Sequence, residues 1–410
     1  MGVSMKEQLV LIGNGMAGMR TIDELLKLAP EKYDITVFGA EPHGNYNRIM
    51  LSPVLAGDKT IDEIIINDLQ WYQDNNIRLL TNTTVIEIDR VNRKVLADDG
   101  SKVGYDRLIL ATGSNPAMLP LPGSDLDGVI SFRDINDVNT MIETAKSHKK
   151  AVVIGGGLLG LEAANGLMQQ GMSVTVVHRS QTLMDQQLDQ TAADLMKAEL
   201  EAKGLRFLMG HNTQAFSGDK RVEKVQFDNG TDIDADLVVV AIGVRPNIQL
   251  AEQSGLQCER GILVNDTLQT FTPNIYAVGE CVQHRNTTFG LVAPLFEQAK
   301  VCANHLAELG IAMYMTKPMA TQLKVTGIDL FSAGDFKGDE MCEVLIYKDP
   351  SSYIYKKLVI KNEQLVGLVL YGDTYDGQWY FSLINSGQVV SELRETLVFG
   401  QQYCQQEQVA

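Results

Sequence analysis

Residues 8–38 read QLVLIGNGMAGMRTIDELLKLAPEKYDITVF. The apolar run 10–12 is short and stops at Gly13, as a buried strand does. Residues 16–28 read as a helix, closed by Ala29-Pro30, and 34–38 as the next strand. Strand, glycine turn, helix, strand is a βαβ unit. Its turn carries Gly13-x-Gly15-x-x-Gly18. The first glycine permits the tight turn, the second lets backbone approach a pyrophosphate, and the third lets helix and strand touch. An acid about 20 residues further on would bind the ribose hydroxyls. Glu41, slightly beyond the strand end, is the candidate; a solvated loop acid is the other reading.

The same grammar returns downstream. Residues 151–154 read as a strand, glycines follow from 155 to 160, a helix runs through Gln170, and 173–177 form a strand. Gly155-x-Gly157-x-x-Gly160 repeats the fingerprint, with Glu162 just behind it. The strand ends in His178-Arg179, where an acid would suit NAD. Arginine can pair with a 2′-phosphate that a carboxylate repels, so this pair accommodates NADPH. The alternative is a helix-capping or solvent-exposed basic pair. Two such units make a duplicated nucleotide-binding α/β architecture the leading expectation.

Between and after them, 85–89 and 94–97 read as a strand pair, and 108–111 and 237–242 as buried strands. The Pro/Gly-rich run 115–123 reads as a linker. Beyond 320, strands such as 353–360 and 365–371 suggest a further α+β domain, and the polar residues 401–410 a frayed tail. The chain has 410 residues, 45% of them apolar, which excludes disorder as its main state. No run approaches a membrane span, and the N-terminus lacks the parts of a signal peptide. The net charge of −16 argues against nucleic acid and anionic membrane surfaces as partners. Five cysteines without a C-x-x-C suggest neither a metal site nor a disulfide scaffold, and an odd count points to reduced thiols in a cytoplasm.

Three further stretches carry a resemblance: Ala111-Thr112-Gly113-Ser114-x-Pro116, Gly243-x-Arg245-Pro246-Asn247 and Ile275-Tyr-Ala-Val-Gly279-Glu280-Cys281. With the two glycine loops they resemble the pyridine nucleotide–disulfide oxidoreductase superfamily over about residues 6–320. The resemblance implies two Rossmann-like domains plus the C-terminal α+β domain. The FAD-binding domain would be 1–118 with 243–320, the NAD(P)H-binding domain 119–242 and the third domain 321–400. It implies FAD on the first loop and NADH or NADPH on the second. Glu280 stands where the family has an aspartate on the FAD ribityl chain. No cysteine precedes Cys258, so neither the paired nor the single redox cysteine of disulfide reductases and peroxidases is present. Cys281 reads as a packing thiol.

Tyr46-Asn47-Arg48-Ile49-Met50-Leu51-Ser52-Pro53 resembles the flavin-covering loop of ferredoxin reductases, with Pro53 in place of a lysine. Arg48 is either a flavin-loop contact or a structural ion pair. The same stretch, with Gly290-Leu-Val-Ala-Pro-Leu-Phe-Glu-Gln-Ala, Lys324-Val-Thr-Gly-Ile-Asp-Leu-Phe-Ser-Ala-Gly and Arg394-Glu-Thr-Leu-Val-Phe-Gly, resembles the FAD-containing part of assimilatory NAD(P)H nitrite reductase large subunits and nitrate reductase electron-transfer relatives. In those enzymes iron–sulfur and sirohaem motifs follow. This sequence ends at Ala410, so the polypeptide alone is not expected to reduce nitrite.

The implied FAD residues are Gly13, Gly15, Met16, Ala17, Gly18, Glu41, Arg48, Val85, Thr112, Gly113, Arg133, Gly279, Glu280 and Ala293. Those for the nicotinamide dinucleotide are Gly155, Gly157, Leu158, Leu159, Gly160, Glu162, His178, Arg179 and Gly243. No acid–base catalyst is needed, because the redox chemistry belongs to the cofactors. The expected function is transfer of electrons from NAD(P)H through FAD to a nitrite or nitrate reductase partner. A rubredoxin or ferredoxin acceptor is the alternative, and a flavin-bound redox sensor a second one; a homodimer fits the superfamily. From residue 321 onward seven Lys/Arg face twelve Asp/Glu, leaving Lys356, Lys357 and Lys361 as a possible local docking patch.

Overall fold

The computed structural model describes residues 6–317, 319–325 and 327–404, so the first five residues and 405–410 lie outside it. The chain divides into two compact units. The first holds the described residues up to 54, then 59–117 and 243–316; the second holds 55–58, 118–242 and the described residues from 317.

In the first unit, strand β1 (Glu7–Ile12) leads through the glycine turn into helix α1 (Met16–Leu28) and strand β2 (Tyr33–Phe38). β1 is central in a five-stranded sheet of spatial order Ile275–Ala277, Arg107–Leu110, β1, β2, Arg78–Leu80, every pair parallel. Leu9, Leu11, Leu108 and Ile109 are fully buried, as parallel strands covered on both faces must be. The pair 85–89 and 94–97 forms as expected, with Lys102–Gly104 added as a third antiparallel strand. The expected linker 115–123 holds the division between the units after Ala117, but its first two residues belong to a strand: Ser114–Pro116 pairs antiparallel with Val244–Pro246. Proline tolerates this because a two-stranded ribbon leaves each outer edge without a partner.

The second unit repeats the theme. Strand β3 (Lys150–Ile154), helix α2 (Leu158–Gln169) and strand β4 (Ser173–His178) belong to a parallel sheet of order Val129–Ile130, Leu237–Val240, β3, β4, Arg206–Met209. Helix α3 (Gln190–Ala202) joins β4 to the edge strand. The C-terminal residues form a five-stranded antiparallel sheet of order Ala320–Val325, Ile328–Gly334, β6 (Gln364–Tyr371), β5 (Ile354–Lys361), Glu343–Asp349. It is held to α3 by polar contacts. The Tyr355 hydroxyl donates to Asp189 at 2.7 Å and the Tyr371 hydroxyl to Glu199 at 2.8 Å.

Ion pairs overturn the local basic patch expected of Lys356, Lys357 and Lys361. Lys356 and Lys357 are buried, paired with Asp373 at 2.7 Å and Asp189 at 3.4 Å, and Lys361 is paired with Asp339. Within the expected frayed tail, Gln401–Cys404 is a helical turn, tied down by the Gln401 N–H on Asp376.

Candidate functional site

β1 delivers the chain to Gly13 at φ +109°, a conformation that L side chains rarely adopt. A Cβ there would overlap the Ala111 carbonyl, and one on Gly18 would lie 2.8 Å from the Gly13 oxygen. Packing alone therefore demands the first and third glycines. Gly15 is different. Its φ of −91° and ψ of 178° suit any residue, and no atom lies within 4 Å of where its Cβ would be. It caps α1 without a side chain, leaving the first N–H groups of Met16 and Ala17 for another acceptor. The second loop repeats this. Gly155 sits at φ +125° against the Ala241 carbonyl and Gly160 against Gly155, while Gly157, at φ −87°, faces open space and caps α2. A backbone cradle that a Cβ would fill, at a helix start, fits a dinucleotide pyrophosphate in both places.

Beside the first loop lies a cavity of about 330 Å³. Gly13, Val85 and Thr112, three of the residues expected to hold FAD, line it together with Ala40, Thr84 and Asn247. Helix Gln249–Gln253 supplies another wall through Gln249 and Gln253, which no sequence signal indicated. Asn247 did stand in a quoted motif. The Thr112 hydroxyl donates to its carbonyl at 2.6 Å, and its N–H donates to Gly113 at 2.9 Å.

Glu41 is no solvated loop acid. It accepts from Arg48 at 2.7 Å and from the Tyr46 hydroxyl at 2.8 Å, and the guanidinium lies 5.0 Å over the Tyr46 ring. The stretch that carries Arg48 is a 3-10 turn, Arg48–Met50, capped by the Asn47 side chain, rather than an open loop. Asn14 braces the same wall, accepting from the Tyr72 hydroxyl at 2.6 Å and donating to the His43 carbonyl at 3.2 Å. Glu280 accepts from the Ser114 hydroxyl at 2.7 Å, and the Gly279 N–H donates to buried Gln298 at 2.8 Å. Ala293 is the second residue of helix Val292–Leu306, which also starts without a side-chain cap.

In the second unit Leu158 and Leu159 open α2, and Glu162 follows one turn later. His178 ends β4 with its ring beneath the glycine loop, and Arg179 is exposed. Arg133, just ahead of helix Ile135–Ser147, belongs to this unit, whereas the cavity is built from first-unit residues. Gly243, at φ +114°, falls in the first unit, its carbonyl accepting from Ala117 at 2.9 Å.

Cys281 is fully buried, its thiol 3.3 Å from the Val278 carbonyl, and burial pushes its pKa up. A protonated, inaccessible thiol is no electron relay. Cys281→Ala should therefore cost about 1 kcal/mol of stability for the lost packing. Ferricyanide reduction by NADH should stay within about twofold of wild type, and a loss beyond tenfold would give the thiol a redox role. Among the described residues no three His, Cys, Asp or Glu side chains gather as metal ligands, and no helix is long and apolar enough to cross a membrane.

Residues 7–305 match the family described as pyridine nucleotide-disulphide oxidoreductase, and 318–388 the rubredoxin NAD+ reductase C-terminal domain. The chain is 52% identical over 387 residues to a nitrite reductase [NAD(P)H] of Bacillus subtilis, covering 94% of this chain and 48% of that protein. It is 48% identical to the assimilatory nitrate reductase electron transfer subunit of the same organism, covering 91% and 48%. The chain thus spans about half the length of these curated relatives. Among solved structures, NADH:rubredoxin oxidoreductase from Clostridium acetobutylicum superposes with a TM-score of 0.81 at 26% identity, covering 94% of this chain and 97% of that one.

Proposed function

Because the chain belongs to the pyridine nucleotide-disulphide oxidoreductase family, whose members pair FAD with a nicotinamide dinucleotide, we propose that it carries electrons from NAD(P)H to a separate metalloprotein of nitrite or nitrate reduction. The observation that carries this reading is the pair of glycine cradles at Gly15 and Gly157, open where neither packing nor backbone strain asks for glycine. FAD, when bound, accepts a hydride and passes electrons on singly. The residues of this chain bind and orient. The first loop and α1 would hold one pyrophosphate; Glu41, its carboxylate fixed by Arg48 and Tyr46, would take the ribose hydroxyls, and Glu280, held by Ser114, would serve the ribityl chain. The second loop and α2 hold the nicotinamide dinucleotide. In domain terms, 1–118 with 243–320 serve FAD, 119–242 NAD(P)H, and 321–400 a C-terminal domain, all in the cytoplasm.

A rubredoxin or ferredoxin acceptor is the second reading, favoured by the match over 318–388. Small acidic carriers would meet a chain of net charge −16 in which Lys356, Lys357 and Lys361 are already paired, and like charges slow such encounters. Anaerobic stopped-flow reduction of a nitrite reductase partner and of rubredoxin separates the two; fast rubredoxin reduction with the other partner ignored overturns the assignment. Ferricyanide turnover far below that of ordinary flavoenzymes would favour a sensor instead.

Arg179 is the exposed group beside the second loop suited to a 2′-phosphate. Arg179→Ala should lower kcat/KM for NADPH by about 10- to 100-fold, the worth of one charge-assisted pair, and leave NADH within about threefold. Equal losses for both nucleotides would remove Arg179 from 2′ recognition.

A further inference from the structure

We propose that His178 is a positioning residue of the nicotinamide dinucleotide loop, holding Gly156 in place through its imidazole Nδ1. The proposal rests on the second loop being the NAD(P)H site. The Gly156 N–H donates to Nδ1 at 3.1 Å, and the Gly156 carbonyl accepts from the Met184 N–H at 2.9 Å. The peptide between the two outer glycines is thus pinned on both sides. A Cβ on Gly156 would lie 2.8 Å from the imidazole Cγ and 2.6 Å from Leu183, so the loop rests directly on the ring.

The two loops reach this support by opposite exchanges. The Gly13 N–H donates to Phe38 at 2.9 Å and the Gly155 N–H to Val177 at 2.9 Å, which makes Gly39 the counterpart of His178 and Asn14 that of Gly156. In the first loop the side chain is on the loop: Asn14 fills the space beside Gly39, 3.0 Å from where a Cβ would be. In the second loop the glycine is on the loop and the filling side chain, His178, comes from the strand end. Each pair places one polar side chain and one glycine at the same junction. Residue 178 is therefore committed to the loop and not to the ribose.

An accepting Nδ1 requires the neutral ring with its proton on Nε2. Burial holds the imidazole pKa below its ordinary value, opposed by the Asp185 carboxylate and by a backbone hydrogen bond with Thr182, and aided by Arg179. His211, whose N–H donates to the His178 carbonyl at 3.3 Å, is the titratable neighbour beyond the adjoining strand.

The test uses the FAD-loaded full chain and follows anaerobic bleaching of flavin absorbance against NADH and NADPH concentration. Asparagine carries its carbonyl oxygen where Nδ1 stands; glutamine carries it one bond further, and leucine has none. His178→Leu and His178→Gln should raise the apparent Kd for both nucleotides about fivefold, the value of one neutral hydrogen bond, with the limiting rate within about twofold. His178→Asn should stay within about twofold of wild type in both. Unchanged Kd in all three variants, or Asn as impaired as Leu, overturns the proposal. If the leucine variant fails to fold, the Asn–Gln difference decides. Wild-type flavin bleached by neither nucleotide would overturn the NAD(P)H site itself together with this role, whereas a wild type that bleaches beside indifferent variants removes only the role of His178.

Discussion

Gly15→Val is expected to give a folded protein that takes up no FAD, and Gly157→Val a yellow protein that neither NADH nor NADPH bleaches. Both glycines have extended backbone open to any residue and no atom within 4 Å of a Cβ. Exchanging glycine for valine at a helix N-cap costs about 1 kcal/mol, well inside the stability of a domain. A branched side chain over the first N–H groups of α1 or α2, however, keeps the pyrophosphate from them. Two or three charge-assisted hydrogen bonds at about 1.5–3 kcal/mol each are then lost, so affinity should fall by at least about a hundredfold. Gly13→Ala and Gly155→Ala are the contrast. Their φ values of +109° and +125° and their overlap with the Ala111 and Ala241 carbonyls should prevent folding altogether. The 450 nm absorbance per chain after incubation with FAD, with a thermal melt beside it, reads all four. Stoichiometric flavin in Gly15→Val would remove the first loop from cofactor binding.

What the sequence made legible were features in which local chemistry states its own purpose. The glycine loops are such features, since the apolar strands before them and the helices behind them are adjacent in the chain. So was Cys281, surrounded by the apolar residues of a buried strand end. Contacts that join distant residues were not legible. Thr112 and Asn247 lock together across 135 positions, and helix Gln249–Gln253, which lines the cavity, follows a strand, Val244–Pro246, that pairs with distant Ser114–Pro116. Pro116, one of the prolines that made 115–123 read as a linker, sits where that ribbon needs no donor. The lysines of β5 were not legible either. Read as a local docking patch, Lys356 and Lys357 find partners in Asp373 and Asp189, which come from other elements and take them into the interior. An ion pair for Arg48 was one of two readings left open, because the six residues between Glu41 and Arg48 say nothing about which way a 3-10 turn will aim a guanidinium.

Asp189→Ala should destabilise the second unit by about 4 kcal/mol, more than any surface charge removal could. One carboxylate does three jobs there. It caps α3 through the Ala192 N–H at 3.1 Å, accepts the Tyr355 hydroxyl at 2.7 Å and neutralises Lys357 at 3.4 Å. Losing the cap costs about 1 kcal/mol. The larger loss is the lysine, 9% exposed, whose ammonium would stay in the interior with its countercharge gone. Breaking a buried pair from one side costs about 3–5 kcal/mol, whereas replacing an ion by an apolar chain of similar length is nearly neutral. Lys357→Met should therefore be mild, and Asp189→Ala combined with Lys357→Met should recover about half of the single loss. The melting temperature of Asp189→Ala should drop by roughly 8–16 °C, at about 2–4 °C per kcal/mol for a body of this size. Asp189→Asn, which keeps an oxygen for the cap and the tyrosine, should fall between. A loss no larger than that of a helix cap, or a double variant worse than the sum of the singles, would mean that Lys357 reaches water and that this carboxylate serves α3 alone.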